Sequence, residues 1–310
     1  MKKLIVTADD FGPHDFINQG IREAALKGCV NTISAIVTWE HCVDNIKQLS
    51  DELKSNNRDI KFGLHLSLTA GSPVLKNKVN TLVNKKGKFW DVDAYDYDRV
   101  NMFEVYNECE AQIKRFLESG IKLNHLSCHH GIMGLFPDFL KIYILLADKY
   151  NVPIRNPMLI SREKKWGFYF SPMKREGLFR GLKIIGSEGI DQLLINAGTL
   201  SEESLNRKLH VFNGGAVKYP GYFVDTFYKN GSKCRLKKIL KKLANNISSE
   251  LVVHLGKGSY IDNEQEREKY NGINFGYFEG RKKELDTITN KLSIESYVAE
   301  NKSIEWALYP

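Results

Sequence analysis

The chain has little of what would mark a membrane, secreted or disulfide-built protein. No stretch of about 18 uncharged apolar residues occurs in its 310 residues, so a membrane span is not expected. There are only five cysteines (Cys29, Cys42, Cys109, Cys128 and Cys234), an odd number without a Cys-x-x-Cys pair. That excludes a disulfide framework and a structural zinc knuckle. The first residues, Met1-Lys2-Lys3-Leu4-Ile5-Val6, reach Asp9 too early for a signal-peptide core, which makes a cytoplasmic location the expectation. Repeats and low-complexity segments are absent.

What is present is ordinary in bulk, with 42% hydrophobic and 26% charged residues. The length can bury a large core, as one α/β domain or two smaller ones. Lys and Arg exceed Asp and Glu by 45 to 37, a net charge of +8. The excess clusters at Arg162, Lys164, Lys165, Lys174, Arg175 and Arg180, and again over residues 233–242. Solvated helix faces explain such clusters; an anionic partner, such as a phosphorylated or lipid-linked substrate, is the sharper reading. No nucleic-acid partner is expected, and a homodimer stays open.

Strand and helix patterns alternate. Strands are expected at 4–7, 32–38, 61–68, 122–128 and 251–254, and helices at 15–26, 42–53, 101–119, 137–150 and 279–292. Such alternation predicts parallel strands with right-handed crossovers. The rhythm is lost over about 156–250, which reads as an insertion or cap over the active face of one domain spanning 1–310. Pro157, Pro172, Pro220 and Gly214-Gly215 favour loops there.

Asp9-Asp10 closes the first strand and precedes Phe11-Gly12. Strand ends are where α/β proteins place catalytic groups. Adjacent strand residues point to opposite sides, so one Asp can bind a metal while the other acts as a base. His65 lies in Gly63-Leu64-His65-Leu66, His129-His130 end a later strand, and His254 follows Leu251-Val252-Val253. Taken singly, a strand-end His is more often a hydrogen-bonded core residue. Their convergence on one edge points instead to an Asp/His/His shell for a catalytic divalent ion. His125 and His129 are four residues apart, about 13 Å in a strand. They cannot share an ion, so His129 is the expected ligand and His125 a structural residue. His14, His41 and His210 lack a motif and read as surface or loop residues. Cys128 faces away from His129.

Thr7-Ala8-Asp9-Asp10-Phe11-Gly12, Gly63-Leu64-His65-Leu66-Ser67-Leu68-Thr69 and His125-Leu126-Ser127-Cys128-His129-His130 resemble three motifs of the YdjC/ChbG-like carbohydrate deacetylases. Asn18-Gln19-Gly20-Ile21-Arg22-Glu23-Ala24 fits that family's first helix, His254 with Tyr260-Ile261-Asp262-Asn263 its late His segment, and Arg281-Lys282-Lys283-Glu284-Leu285-Asp286 its closing helix. The likeness covers 1–155 and 250–310 well and the middle poorly. It implies a distorted (β/α) barrel related to polysaccharide deacetylases and removal of an N-acetyl group from an amino sugar. It also implies one divalent ion, Mg2+ by family habit or Zn2+ by its nitrogen ligands, on Asp10, His65 and His129, with Asp9 as base and His254 as acid. Two departures stand out. The family usually reads His-x-Asp-Ser-His where this chain has Ser127-Cys128 before His129, and a further His commonly follows where this chain has Gly131-Ile132-Met133. The missing acid bears on support of the metal ligands.

The same chemistry follows from the residues. A metal polarises the acetyl carbonyl and acidifies water, Asp9 accepts the proton, and His254 as imidazolium protonates the leaving amine. Trp90, Trp166, Tyr169 and Tyr222 are candidate sugar platforms. The alternatives are a metal-dependent phosphoesterase with the same shell and a sugar-binding barrel without catalysis.

Overall fold

A computed structural model of the protein describes residues 1–95, 99–135, 137–156, 217–224, 227–229 and 231–310. The chain begins β1 (Lys2–Phe11), α1 (Asp15–Leu26), β2 (Thr32–Ala35), α2 (Cys42–Ser55), β3 (Lys61–Leu66), α3 (Met102–Leu117), β4 (Leu126–Cys128), α4 (Ile132–Leu135) and α5 (Pro137–Lys149). It continues β5 (Tyr222–Val224), α6 (Lys233–Lys242), β6 (Ser248–Val253), α7 (Glu264–Lys269), α8 (Phe278–Asp286), α9 (Ile294–Glu300) and β7 (Ile304–Trp306).

Every named strand pairs in parallel, in the order β4-β3-β2-β1-β6-β5, with β7 also on β1. Strands buried on both faces read as continuous apolar runs, and Leu4, Ile5, Val6 and Ala8 of β1 are fully buried. The sheet curls until its outer strands nearly meet. Leu126 of β4 pairs in parallel with Ile154, Arg155 N donates to Leu126 O at 2.7 Å, and Ile154 N donates to Lys218 O at 2.9 Å, just before β5. This α/β ring fits a distorted barrel. It gathers the strand ends of β1, β3, β4 and β6 over one cavity.

Helix α1 shows how the outer layer packs. Phe16, Ile17, Gly20, Ile21, Ala24 and Ala25 are buried, the spacing of one helix face, while Asp15, Gln19 and Arg22 are exposed. Among the described residues no helix is long and apolar enough to cross a membrane.

Several expected elements shift at their ends because pairing, not local pattern, limits strands. β4 spans only Leu126–Cys128, the residues opposite Leu64, His65 and Leu66. The expected 279–292 helix is helical to Asp286 and then widens into a π turn over Thr287–Lys291. Of the stretch 156–250, the described part supplies β5 and α6, so its end belongs to the sheet and its helical layer. Residues 157–216, with Trp166, Tyr169, His210 and the Arg162–Arg180 basic cluster, lie outside the described residues. His14 is not a surface residue. It is buried, its Nδ1 accepts from Phe16 N at 3.1 Å, and it packs on Tyr270 and Phe278 as the N-cap of α1.

Candidate metal and catalytic site

Asp9 and Asp10 share one cavity, against the alternation of an unbroken strand. The β1–β2 register shifts between Ala8 and Phe11, and Asp10 sits at φ 71°. That bulge turns Asp10 to the side Asp9 already faces, a device common beside active sites. His65 Nε2 lies 3.8 Å from Asp9 Oδ2 and 3.5 Å from Asp10 Oδ1.

Asp10, His65 and His129 are buried and bring one ligand atom each within 4.8 Å of one another. Each His presents a defined nitrogen. Ser127 Oγ donates to Leu64 O at 3.4 Å and so accepts from His65 Nδ1 at 2.7 Å, leaving the Nε2 lone pair toward the two Asp. His129 Nε2 donates to Gly272 O at 3.1 Å, which leaves Nδ1 facing Asp10 Oδ1 at 3.0 Å. Two ligand atoms of one ion about 2.1 Å away stand about 3.0–3.4 Å apart in octahedral or tetrahedral geometry. The observed 3.0 and 3.5 Å separations fit that. One carboxylate oxygen with two imidazole nitrogens suits Zn2+ or another transition ion and admits Mg2+.

The charges are balanced by arginines. Arg155 donates to Asp9 at 2.7 and 2.8 Å and to Glu250 at 2.9 and 2.8 Å. Arg281 Nη2 donates to Asp10 Oδ2 at 2.5 Å. Burial works against ionising Asp9, but Arg155 and His65 hold its carboxyl well below the usual range. Arg281 and His129 do the same for Asp10. Burial lowers His65 to about 3 despite both Asp, so its ring is neutral and ready to ligate. His129 is raised: Asp10 and the Gly272 carbonyl outweigh burial, so a proton and a metal ion compete for one place.

His254 follows β6 at the same edge. Its Nδ1 is buried without a hydrogen-bond partner, and its ring meets Tyr228 edge-on at 5.0 Å. Burial pushes it down to about 4, which favours the neutral ring in the resting site. Its backbone N–H donates to Glu284 Oε2 at 2.8 Å, and Tyr277 Oη donates to Glu284 Oε1. Burial raises that carboxyl to about 7.

His125 stands outside the metal group. Its Nε2 lies 3.0 Å from Ser34 Oγ and its ring stacks on Tyr309 at 4.0 Å. Gly63 makes room for it, since a Cβ there would lie 2.3 Å from His125 Cε1. The cavity wall carries Tyr143, Phe223 and Tyr228, whereas Trp90 and Tyr222 do not line it. Ser127 is the place where the motif departs from the family's acid, whereas Arg155 and Gly272 belong to no motif of the sequence. Arg155 ends the short apolar run Val152-Pro153-Ile154, the one local signal for it.

The YdjC-like protein family matches residues 3–294. The chain belongs to the YdjC-like family. A carbohydrate deacetylase from Enterococcus faecalis is 35% identical over 158 residues, half of this chain and 58% of that protein, so the match spans little more than half of that relative. A carbohydrate deacetylase from Thermoanaerobacter pseudethanolicus is 30% identical over 66% of this chain and 85% of its own length. A solved Enterococcus faecalis structure, named for cellobiose-phosphate cleavage, superposes with a TM-score of 0.70 at 26% identity, covering 99% of this chain and 97% of its own. That superposition agrees with the curled parallel α/β fold of the described residues of this YdjC-like chain.

Proposed function

We propose that this YdjC-like chain is a metal-dependent carbohydrate N-deacetylase, a hydrolase of the acetamide on an amino sugar. The observation that carries it is the convergence of Asp10 Oδ1, His65 Nε2 and His129 Nδ1 beside a second, arginine-held carboxylate, Asp9. Relatives named carbohydrate deacetylases supply the substrate class.

A divalent ion on Asp10, His65 and His129 would polarise the acetyl carbonyl and make water more acidic. Asp9, which Arg155 and His65 hold well below the usual carboxylate range, stands next in sequence to a ligand, so it receives the proton from the attacking water. Arg155 fixes the direction of its lone pairs. His254, at the end of the neighbouring parallel strand β6, passes a proton to the departing nitrogen. Because burial favours its neutral form, the proton it passes on must reach it within the reaction, and the proton Asp9 takes from the water is the one the reaction supplies. Phe223 and Tyr228 give the sugar an apolar wall.

The test is metal analysis of the purified protein, then acetate release from N-acetylglucosamine and its β-linked oligomers, beside phosphate release from p-nitrophenyl phosphate. Metal-dependent acetate release supports the proposal. Metal-dependent phosphate release without acetate release would favour the phosphoesterase instead. Sugar binding without turnover would favour the non-catalytic barrel.

A further inference from the structure

His130 has no part in the chemistry above, yet it lines the same cavity. Its backbone is left-handed, φ 54° and ψ 10°, and Gly131 follows at φ 68°. Among the described residues seven non-glycine residues have positive φ, and of these only Asp10 and His130 line this cavity. Such a conformation costs about 1 kcal/mol or more and persists where the surroundings impose it, often where a side chain must be aimed.

The ring is fixed on two sides. It lies against the His129 ring at 3.9 Å between centroids, and its Nδ1 is 3.0 Å from Oγ1 of the buried Thr69. Thr69 Oγ1 has no other hydrogen bond among the described residues, and with its proton given to Nδ1 the ring proton sits on Nε2, the tautomer the proposed role requires. His130 stands outside the Asp10–His65–His129 group, so Nε2 is not needed for an ion. Gly131 and Gly134 also line the cavity and bring no side chain into it. A neutral N–H donor at a cavity wall that also carries Phe223 and Tyr228 suits an oxygen on a ring with an apolar face. A sugar has both.

We propose that His130 is a substrate-binding residue whose Nε2–H donates to a hydroxyl of the amino sugar beside the acetamide, with Thr69 as the positioning residue that sets its tautomer. The proposal rests on the deacetylase reading and names a determinant of its selectivity for sugars.

The test uses the metal-loaded full chain and two probes: the β-linked dimer of N-acetylglucosamine, and p-nitrophenyl acetate, which has an acetyl group but no sugar hydroxyl. His130→Ala should raise KM for the dimer and lower the ratio of kcat/KM for dimer over ester about 10-fold, the effect of one lost hydrogen bond. Metal content should stay at the wild-type level. His130→Gln, which keeps an N–H donor, should recover part of the ratio. Thr69→Val should resemble His130→Ala, and Thr69→Ser should resemble wild type. Equal losses on both probes, loss of metal, or an unchanged ratio in His130→Ala would overturn the inference while a dimer-active wild type upholds the deacetylase reading. A metal-loaded wild type that cleaves the ester but neither binds nor deacetylates the dimer overturns both.

Discussion

Arg155 grips both oxygens of Asp9, Nη1 on Oδ2 at 2.7 Å and Nη2 on Oδ1 at 2.8 Å, while its other edge holds Glu250. A base must be ionised, and this pairing keeps Asp9 ionised far below neutrality. The wild-type profile of kcat/KM against pH should therefore show no acid limb from Asp9 above about pH 5. In Arg155→Gln the burial of Asp9 remains and its partner is gone, so its pKa rises. An acid limb should then move up into the measured range, with kcat/KM reduced about 100-fold at neutral pH. An unchanged profile would detach Arg155 from the base.

The adjacent acids should separate by metal content. Asp10→Asn, His65→Ala and His129→Ala should each lower occupancy by at least about 10-fold in elemental analysis, because each removes a ligand atom. Asp9→Asn should keep the ion and lose turnover. Equal metal loss in Asp9→Asn and Asp10→Asn would show that the two roles are wrongly divided.

Ser127 stands where the resembling family usually has an acid, and it holds His65 Nδ1 at 2.7 Å. Removing such a support typically weakens metal binding about 10–100-fold. Ser127→Ala should show that loss by competition with a chelator. Ser127→Asp should bind the ion more tightly than wild type, since a carboxylate makes the imidazole a better donor. Binding unaffected by either change would leave Ser127 a packing residue.

His254→Ala should slow an acetamide far more than an activated aryl ester, whose leaving group needs no proton. Because burial pushes the ring down to about 4, His254 should also leave no limb of its own between about pH 5 and 9. Equal losses on amide and ester would remove it from proton transfer.

Glu284 predicts a pH dependence of stability rather than rate. Its folded carboxyl is raised to about 7 from the ordinary 4.5. Below pH 4.5 both states are protonated and the group is neutral in its effect. As pH rises from 4.5 to 7 the unfolded chain loses its proton first, so folding stability declines, by about 3 kcal/mol at most. His65 and His254, which burial holds neutral, push stability the other way over part of that range, so the Glu284 contribution is the difference between wild type and Glu284→Gln in denaturant unfolding, and that difference should change by this amount from pH 4.5 to 7. A difference that stays constant over that range would mean the carboxyl is not raised.

Much of this protein was legible from sequence because buried parallel strands are continuous apolar runs and helices carry a one-face period. The order β1, α1, β2, α2, β3, α3, β4 could be read from those patterns, and so could the candidate residues, since Asp9, Asp10, His65, His129 and His254 all stand at or next to strand ends. Three-residue strands such as β5 and β7 are too short to carry a period, and they exist because β6 and β1 offer them edges.

The sequence by itself determined the alternating parallel α/β architecture and the residue types that meet at one edge, because periodicity and strand ends are local properties. Tertiary structure alone decided how those residues meet. The bulge at Asp10 set both carboxylates on one side of β1, where simple alternation would have divided them. Ring closure brought Arg155 to Asp9 from 146 residues away, and the helix α8 brought Arg281 to Asp10 from 271 away. The choice of nitrogen on His65 and His129 rests on Ser127 Oγ and the Gly272 carbonyl. Partners so distant along the chain leave no periodic trace, and a backbone carbonyl carries no sequence signature at all.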